Sequence, residues 1–276
     1  MNKKTLIFTD LDGTLLDHYT YQSDDAKETI VTLKQSDIAI IANSSKTLPE
    51  ILAIRQQLNL PDPFIIENGA AVYIPVNYFN RQPTDTKLQG EFWVKEFTQQ
   101  KEHWLSLLNQ QAQRFSDAYQ GFSQMDNKQL AKLTGLNLEQ ATRAKQRQYG
   151  EPVNWLGNAQ LKTEFIGMMR SLGANMLQGG RFLHISGFCD KGKAQHWLAE
   201  QYAKETPQQK IISIALGDSE NDIAMLEQAT IAVLIRSPVH DFPMLKRTLD
   251  IYHSRQYGPA GWAECLHEIL LSKLIR

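Results

Sequence analysis

The chain has 276 residues, 42% hydrophobic and 21% charged, with a formal net charge of -1. That length allows one large domain or two modest ones, and the composition is that of a globular enzyme, not of a disordered or fibrous chain. The near-neutral charge excludes general attraction to nucleic acid or to an anionic membrane, so any phosphate must be held by a local site. Two cysteines, Cys189 and Cys265, stand far apart in no metal-ligating pattern, as expected of a reduced cytoplasmic protein. Met1-Asn2-Lys3-Lys4 precedes only a very short apolar run. No signal peptide is expected from that pattern, nor any membrane span, which needs roughly 18 apolar residues.

Thr5 to Thr9 reads as a buried strand that runs into Asp10-Leu11-Asp12-Gly13-Thr14. Extended residues two apart share a face, so Asp10 and Asp12 are expected to project together beyond the strand tip. Like charges held together call for a cation or a shared proton. The pair therefore points to a magnesium site, an acid/base pair, or both, while an Asp-Gly turn is the plain alternative. Ser23 to Gln35 reads as an amphipathic helix capped by Ser23 or Asp24. Ile38 to Ala42 is a continuous apolar run, as in a strand covered on both faces. A second helix over Leu48 to Leu58, a third strand over Pro63 to Ile66 and a short further strand over Ala70 to Pro75 follow. Strands alternating with helices predict a parallel sheet with right-handed crossovers.

From about residue 85 to residue 180 the chain is rich in Gln, Lys, Asn and Trp. Helical periodicity appears over Phe97 to Phe115, Asn137 to Arg147 and Gln160 to Ser171, with a strand at Val153 to Trp155. Ala174 to Leu177 and Phe182 to Ile185 read as a hairpin around Gly179-Gly180. The α/β pattern then resumes with helices over Lys191 to Lys204, Glu220 to Gln228 and Gly261 to Leu274, and strands over Ile211 to Leu216 and Ile231 to Ile235. The expected fold is α/β: a doubly wound parallel sheet built from residues 1–84 and 190–276, with residues 85–189 as an inserted α/β domain.

Ligands collect at the carboxyl ends of parallel strands, and the polar residues there form a set. They are Asp10 and Asp12; Asn43-Ser44-Ser45-Lys46-Thr47; Glu67-Asn68-Gly69; and Gly217-Asp218-Ser219-Glu220-Asn221-Asp222. Asp222 falls one helical turn after Asp218, and such hard oxygen ligands suit magnesium. Acidic residues at a helix N-terminus also serve the dipole. Ser44, between a strand and a helix, can bind a phosphoryl oxygen or cap the helix. Lys191 opens a helix, where its charge opposes the dipole; it is a surface lysine or one with a task.

These motifs together resemble the signature of the haloacid dehalogenase-like phosphatases, whose core is Rossmann-like. The resemblance implies that Asp10 is a nucleophile forming an aspartyl phosphate and Asp12 the general acid/base. It implies Mg2+ held by Asp10, the Asp12 carbonyl and Asp218, with Asp222 through water, and phosphoryl oxygens held by Ser44 and Lys191. The insert sits where one class of these enzymes carries an α/β cap. Ser44-Ser45-Lys46-Thr47, Glu67-Asn68-Gly69-Ala70, Gly179-Gly180-Arg181-Phe182-x-His184 and Tyr257-Gly258-Pro259-x-Gly261-Trp262 are similar to the mannosyl-3-phosphoglycerate phosphatase branch.

The resemblance implies hydrolysis of that small phosphorylated sugar, with no nucleic-acid or membrane partner. Ser45, Lys46, Glu67, Asn68, Arg170, Gly180, Arg181 and Asn221 are the expected substrate contacts. Arg181 can fork to a carboxylate or sugar hydroxyls, or lie on the surface after its glycine turn. Glu67 and Asn68 can meet sugar hydroxyls or end a strand, and His184 reads as a packed or exposed histidine. The other functions open to this set are a broad-range sugar-phosphate phosphatase, a phosphomutase and a non-catalytic binding protein.

Overall fold

The computed structural model describes residues 2–178 and 182–274. In chain order they form β1 (Asn2–Thr9), α1 (Lys27–Gln35), β2 (Ala39–Ala42), α2 (Leu48–Leu58), β3 (Phe64–Ile66), β4 (Ala71–Pro75), β5 (Lys87–Gln89), β6 (Phe92–Glu96), α3 (Lys101–Gln111), β7 (Tyr119–Gly121), α4 (Asn127–Thr134), α5 (Leu138–Lys145), β8 (Glu151–Trp155), α6 (Ala159–Ser171), β9 (Asn175–Gln178), β10 (Leu183–Ser186), α7 (Lys191–Glu205), β11 (Gln209–Gly217), α8 (Ile223–Gln228), β12 (Ile231–Arg236), β13 (Ile251–Tyr257) and α9 (Gly258–Leu274). No helix among the described residues is long and apolar enough to cross a membrane.

The chain forms two compact units. One comprises the residues up to 45, 55–95 and those from 190 onward; the other comprises 46–54 and 96–189. Residues 85–95, expected within the insert, are built into the first unit, because β5 and β6 join β3 and β4 in one sheet of order β3-β4-β6-β5.

The first unit carries a five-stranded sheet of order β13-β12-β11-β1-β2, parallel throughout. The four residues of β2 are all buried, as both faces of a parallel sheet require. From β1 the chain steps to β2 on one side and later returns to β11, β12 and β13 on the other. The order reverses at β1, and a crevice opens at the carboxyl ends at such a point. The third strand differs from expectation. β3 pairs antiparallel with β4 and, among the described residues, meets the parallel sheet through an isolated parallel bridge between Asn43 and Ile65. β13 was not apparent in the sequence because its residues are mostly polar and it lies at the sheet edge. Glu264 Oε2 accepts from the backbone amides of Arg255 and Gln256, both at 3.1 Å, which blunts that edge.

The second unit holds an antiparallel sheet of order β7-β8-β10-β9. Its core gathers Trp104, Leu108, Phe115, Phe165, Met169 and Leu183. The periodic stretch expected to be helical as far as Phe115 leaves the α-helix at Gln111 and continues as a 3-10 segment. α4 escaped the sequence reading, although Asp126 caps it by accepting from Gln129 N and Gly135 closes it in a left-handed conformation.

Candidate active site

β1 and β11 run side by side from Asn2 opposite Gln209 to Thr9 opposite Leu216. Asp10 therefore leaves the sheet beside Gly217 and Asp218, its amide donating to the Leu216 carbonyl at 2.9 Å. Asp222 follows within the 3-10 turn that opens α8. Asp10, Asp218 and Asp222 each bring a carboxylate oxygen within 4.8 Å of the other two, and none is more than 5% exposed. Lys191, fully buried at the start of α7, donates from Nζ to Asp10 Oδ1 at 2.5 Å and to Asp222 Oδ1 at 2.6 Å.

One ammonium against three buried carboxylates leaves an excess of negative charge. Burial raises the Asp10 carboxyl well above the usual carboxylate range; Lys191 opposes this, while Asp222, Asp218 and Asp12 add to it. Asp218 is pushed up to about 6 by burial and then by Asp222, with His240, Lys191 and Thr14 pulling the other way. Burial works against the Lys191 charge, but Asp10 and Asp222 outweigh it and hold the ammonium above the ordinary lysine range. A divalent cation would supply the missing positive charge, and three hard oxygens this close are donors that magnesium accepts.

The chain reaches Asp12 by a turn and not by extended spacing. β1 ends at Thr9, and the Leu11 carbonyl accepts from Thr14 N at 3.2 Å and from Leu16 N at 2.8 Å. The Asp12 side chain lies outside the three-carboxylate group. Gly13 makes the turn possible. Its φ is +75°, and a Cβ there would lie 2.7 Å from Asp218 Oδ2, a contact that no larger residue can make.

Ser44 is buried at the end of β2, with its amide on the Ile65 carbonyl at 3.1 Å and its carbonyl accepting from Asn68 N at 2.9 Å. Glu67 and Asn68 both take left-handed backbone conformations, at φ 46° and 60°, an unfavourable geometry for the longer side chain. That turn presents Asn68 Oδ1 to Asn221 Nδ2 at 3.0 Å. Ser44, Glu67, Asn68 and Asn221 thus lie on connected turns. Ser45 is half-buried in the same unit. Lys46 and Arg170 belong to the other unit. There Lys46 Nζ lies 4.0 Å from Glu50 Oε1, and Arg170 donates to the Met176 carbonyl at 3.3 Å. Gly180 and Arg181 lie outside the described residues, as does the Gly179-Gly180 turn.

Three further groups had no role in the sequence reading. Asn43, fully buried, donates from Nδ2 to the Lys191 carbonyl at 3.1 Å and so ties β2 to α7. Trp262 donates from Nε1 to Thr9 Oγ1 at 3.1 Å, and that hydroxyl donates to the Asp10 carbonyl at 2.7 Å. Trp262 stood in a quoted motif that gave no hint of this contact. His240 Nε2 lies 3.4 Å from Asp218 Oδ2; a lone histidine between two strands carries no sequence signal.

The profile of haloacid dehalogenase-like hydrolases matches residues 7–93, and that of sucrose-6F-phosphate phosphohydrolase matches residues 172–267. The glucosyl-3-phosphoglycerate/mannosyl-3-phosphoglycerate phosphatase of Methanococcoides burtonii is 34% identical over 267 residues, covering 97% of each chain. The chain belongs to the haloacid dehalogenase-like phosphatases, in the mannosyl-3-phosphoglycerate phosphatase branch. The mannosyl-3-phosphoglycerate phosphatase of Pyrococcus furiosus is 33% identical over 236 residues, 86% of this chain and 93% of that one. A solved structure from Thermotoga maritima shares the fold at a TM-score of 0.66 with 17% identity, covering 96% of this chain and 97% of that one. As a haloacid dehalogenase-like phosphatase, the chain is a phosphoric monoester hydrolase.

Proposed function

We propose that this phosphatase is magnesium-dependent and hydrolyses a glycosyl phosphoglycerate, converting mannosyl-3-phosphoglycerate to mannosylglycerate and phosphate. The 34% identity to the Methanococcoides burtonii phosphatase across 97% of the chain carries the substrate reading. Residues 96–189, within the insert expected over 85–189, are read as a cap domain that sets substrate choice.

Asp10, at the tip of β1, is the nucleophile. Its carboxylate attacks phosphorus in line and forms an aspartyl phosphate as the ester oxygen on the glycerate leaves. Asp12 gives that leaving oxygen a proton, then takes a proton from the water that cleaves the acyl phosphate. Lys191 keeps Asp10 oriented through their 2.5 Å contact and, with Ser44, steadies the phosphoryl oxygens. Asp10, Asp218 and the Asp12 carbonyl, with Asp222 through water, would hold a magnesium ion, which would offset the repulsion between carboxylate and phosphate. Its donor set matches the three buried carboxylates left with excess charge.

A panel of phosphorylated metabolites assayed with Mg2+ tests the reading. Phosphate should leave mannosyl-3-phosphoglycerate far faster than simple hexose phosphates. Equal rates would favour a broad-range sugar-phosphate phosphatase, a reading to which the sucrose-6F-phosphate phosphohydrolase match over residues 172–267 lends support. Asp10→Asn should abolish turnover while the circular dichroism spectrum stays native; full activity in that variant would overturn the nucleophile.

A further inference from the structure

We propose that His240 is a positioning residue, which holds the Asp218 carboxylate in the orientation that ligates a divalent cation. This rests on the metal-dependent reading above. The two oxygens of Asp218 are gripped from different elements. Thr14 Oγ1 donates to Oδ1 at 3.3 Å, and His240 Nε2 lies 3.4 Å from Oδ2. The other ring nitrogen, Nδ1, lies 3.0 Å from the Asp241 carbonyl. A carbonyl can only accept, and so can a carboxylate. Each ring nitrogen therefore faces an oxygen that can only accept, Nε2 towards the Asp218 carboxylate and Nδ1 towards the backbone carbonyl of Asp241.

The loop that carries His240 is fixed at both ends. Before it, Arg236 N donates to Ser254 Oγ at 2.8 Å. After it, the Phe242 ring packs edge-on against His253, with centroids 5.0 Å apart. Val239 N also reaches Ser237 Oγ at 3.4 Å. Both anchors, Ser254 and His253, belong to β13, so the edge strand of the parallel sheet sets where the ring stands. Gly13 leaves room for the Asp218 carboxylate in this position, since a Cβ there would lie 2.7 Å from Oδ2. A ligating side chain kept in place by an outer partner binds its metal about 10- to 100-fold more tightly than one left loose.

The test is Mn2+ binding to the full chain without substrate, with free Mn2+ followed by electron paramagnetic resonance. His240→Ala should weaken binding by about 10- to 100-fold. His240→Gln, whose amide nitrogen reaches roughly as far as Nε2, should restore most of it. His240→Asn reaches only as far as Nδ1 and should not. In an Asp218→Asn background, His240→Ala should cost nothing further, because the two act as one unit. Unchanged or tighter binding in His240→Ala, equal rescue by Asn and Gln, or an undiminished loss in the Asp218→Asn background would each overturn the proposal. Should Asp218→Asn alone leave Mn2+ affinity unchanged, the metal site itself would be misassigned and this proposal would fall with it.

Discussion

Lys191 Nζ lies 2.5 Å from Asp10 Oδ1, although 181 positions separate the two residues in the chain. The same ammonium reaches Asp222, so one fully buried cation joins the end of β1 and the turn that opens α8 to the start of α7. Asn43 holds the Lys191 backbone from β2. The lysine is thus a structural tie as well as a candidate phosphate contact, which accounts for a positive charge placed against the helix dipole.

Lys191→Met should leave two buried carboxylates without their cation. Removing one partner of a buried pair costs about 3–5 kcal/mol, and a urea titration should show a loss of that size. Phosphate release should fall by about 100-fold or more, as for other lost transition-state donors. A variant as stable and as active as the parent would refute the bridging role.

Gly13→Ala should damage the site more than its size suggests. The residue has φ +75°, and the new methyl would lie 2.7 Å from Asp218 Oδ2. A displacement of about 1 Å in a catalytic group can cost roughly 100-fold in rate, so kcat should drop by about that much. The backbone strain should lower stability by about 1 kcal/mol. Steady-state kinetics beside thermal melting separates the two effects.

Trp262→Phe keeps the ring in the core but removes the donor to Thr9 Oγ1. Losing one buried hydrogen bond costs about 1 kcal/mol. Because Thr9 in turn bonds the Asp10 carbonyl, kcat should fall by a small factor while KM stays level. A change confined to KM would argue against this route to the nucleophile.

His184, on β10 of the second unit, is pushed down from 6.5 to about 4, first by burial and then by Arg147. A histidine kept neutral in the native state takes up its proton more readily once unfolded. It therefore favours the fold above pH 6.5, and that contribution is lost as pH falls towards 4. The free energy of holding the ring neutral across that interval bounds the loss at about 3 kcal/mol. Urea unfolding at pH 7 and pH 5 should show parent stability falling further on acidification than that of His184→Gln; parallel falls would contradict this origin.

The parallel sheet was legible because its strands are buried on both faces, so Leu6-Ile7-Phe8 and Ile40-Ile41 appear as unbroken apolar runs. β13 was hidden because an edge strand need not be apolar. α4 was hidden behind a glutamine- and lysine-rich stretch, although its Asp126–Gln129 capping box was there to be read. Asp10 and Asp12 would share a face only on an extended chain, but the backbone turns at Leu11 to satisfy the amides of Thr14 and Leu16.

By itself the sequence determined which chemical groups the chain offers and on which kind of element each stands, because hydrophobic period and motif spacing are local properties. It marked carboxylates at strand ends, a lysine at a helix start and glycines at turns. Only the tertiary structure decided that Lys191 bridges Asp10 and Asp222, that Trp262 backs Thr9, and that His240 meets Asp218. These contacts join distant segments, and their distances depend on how strands and helices pack, which no local pattern of residues records.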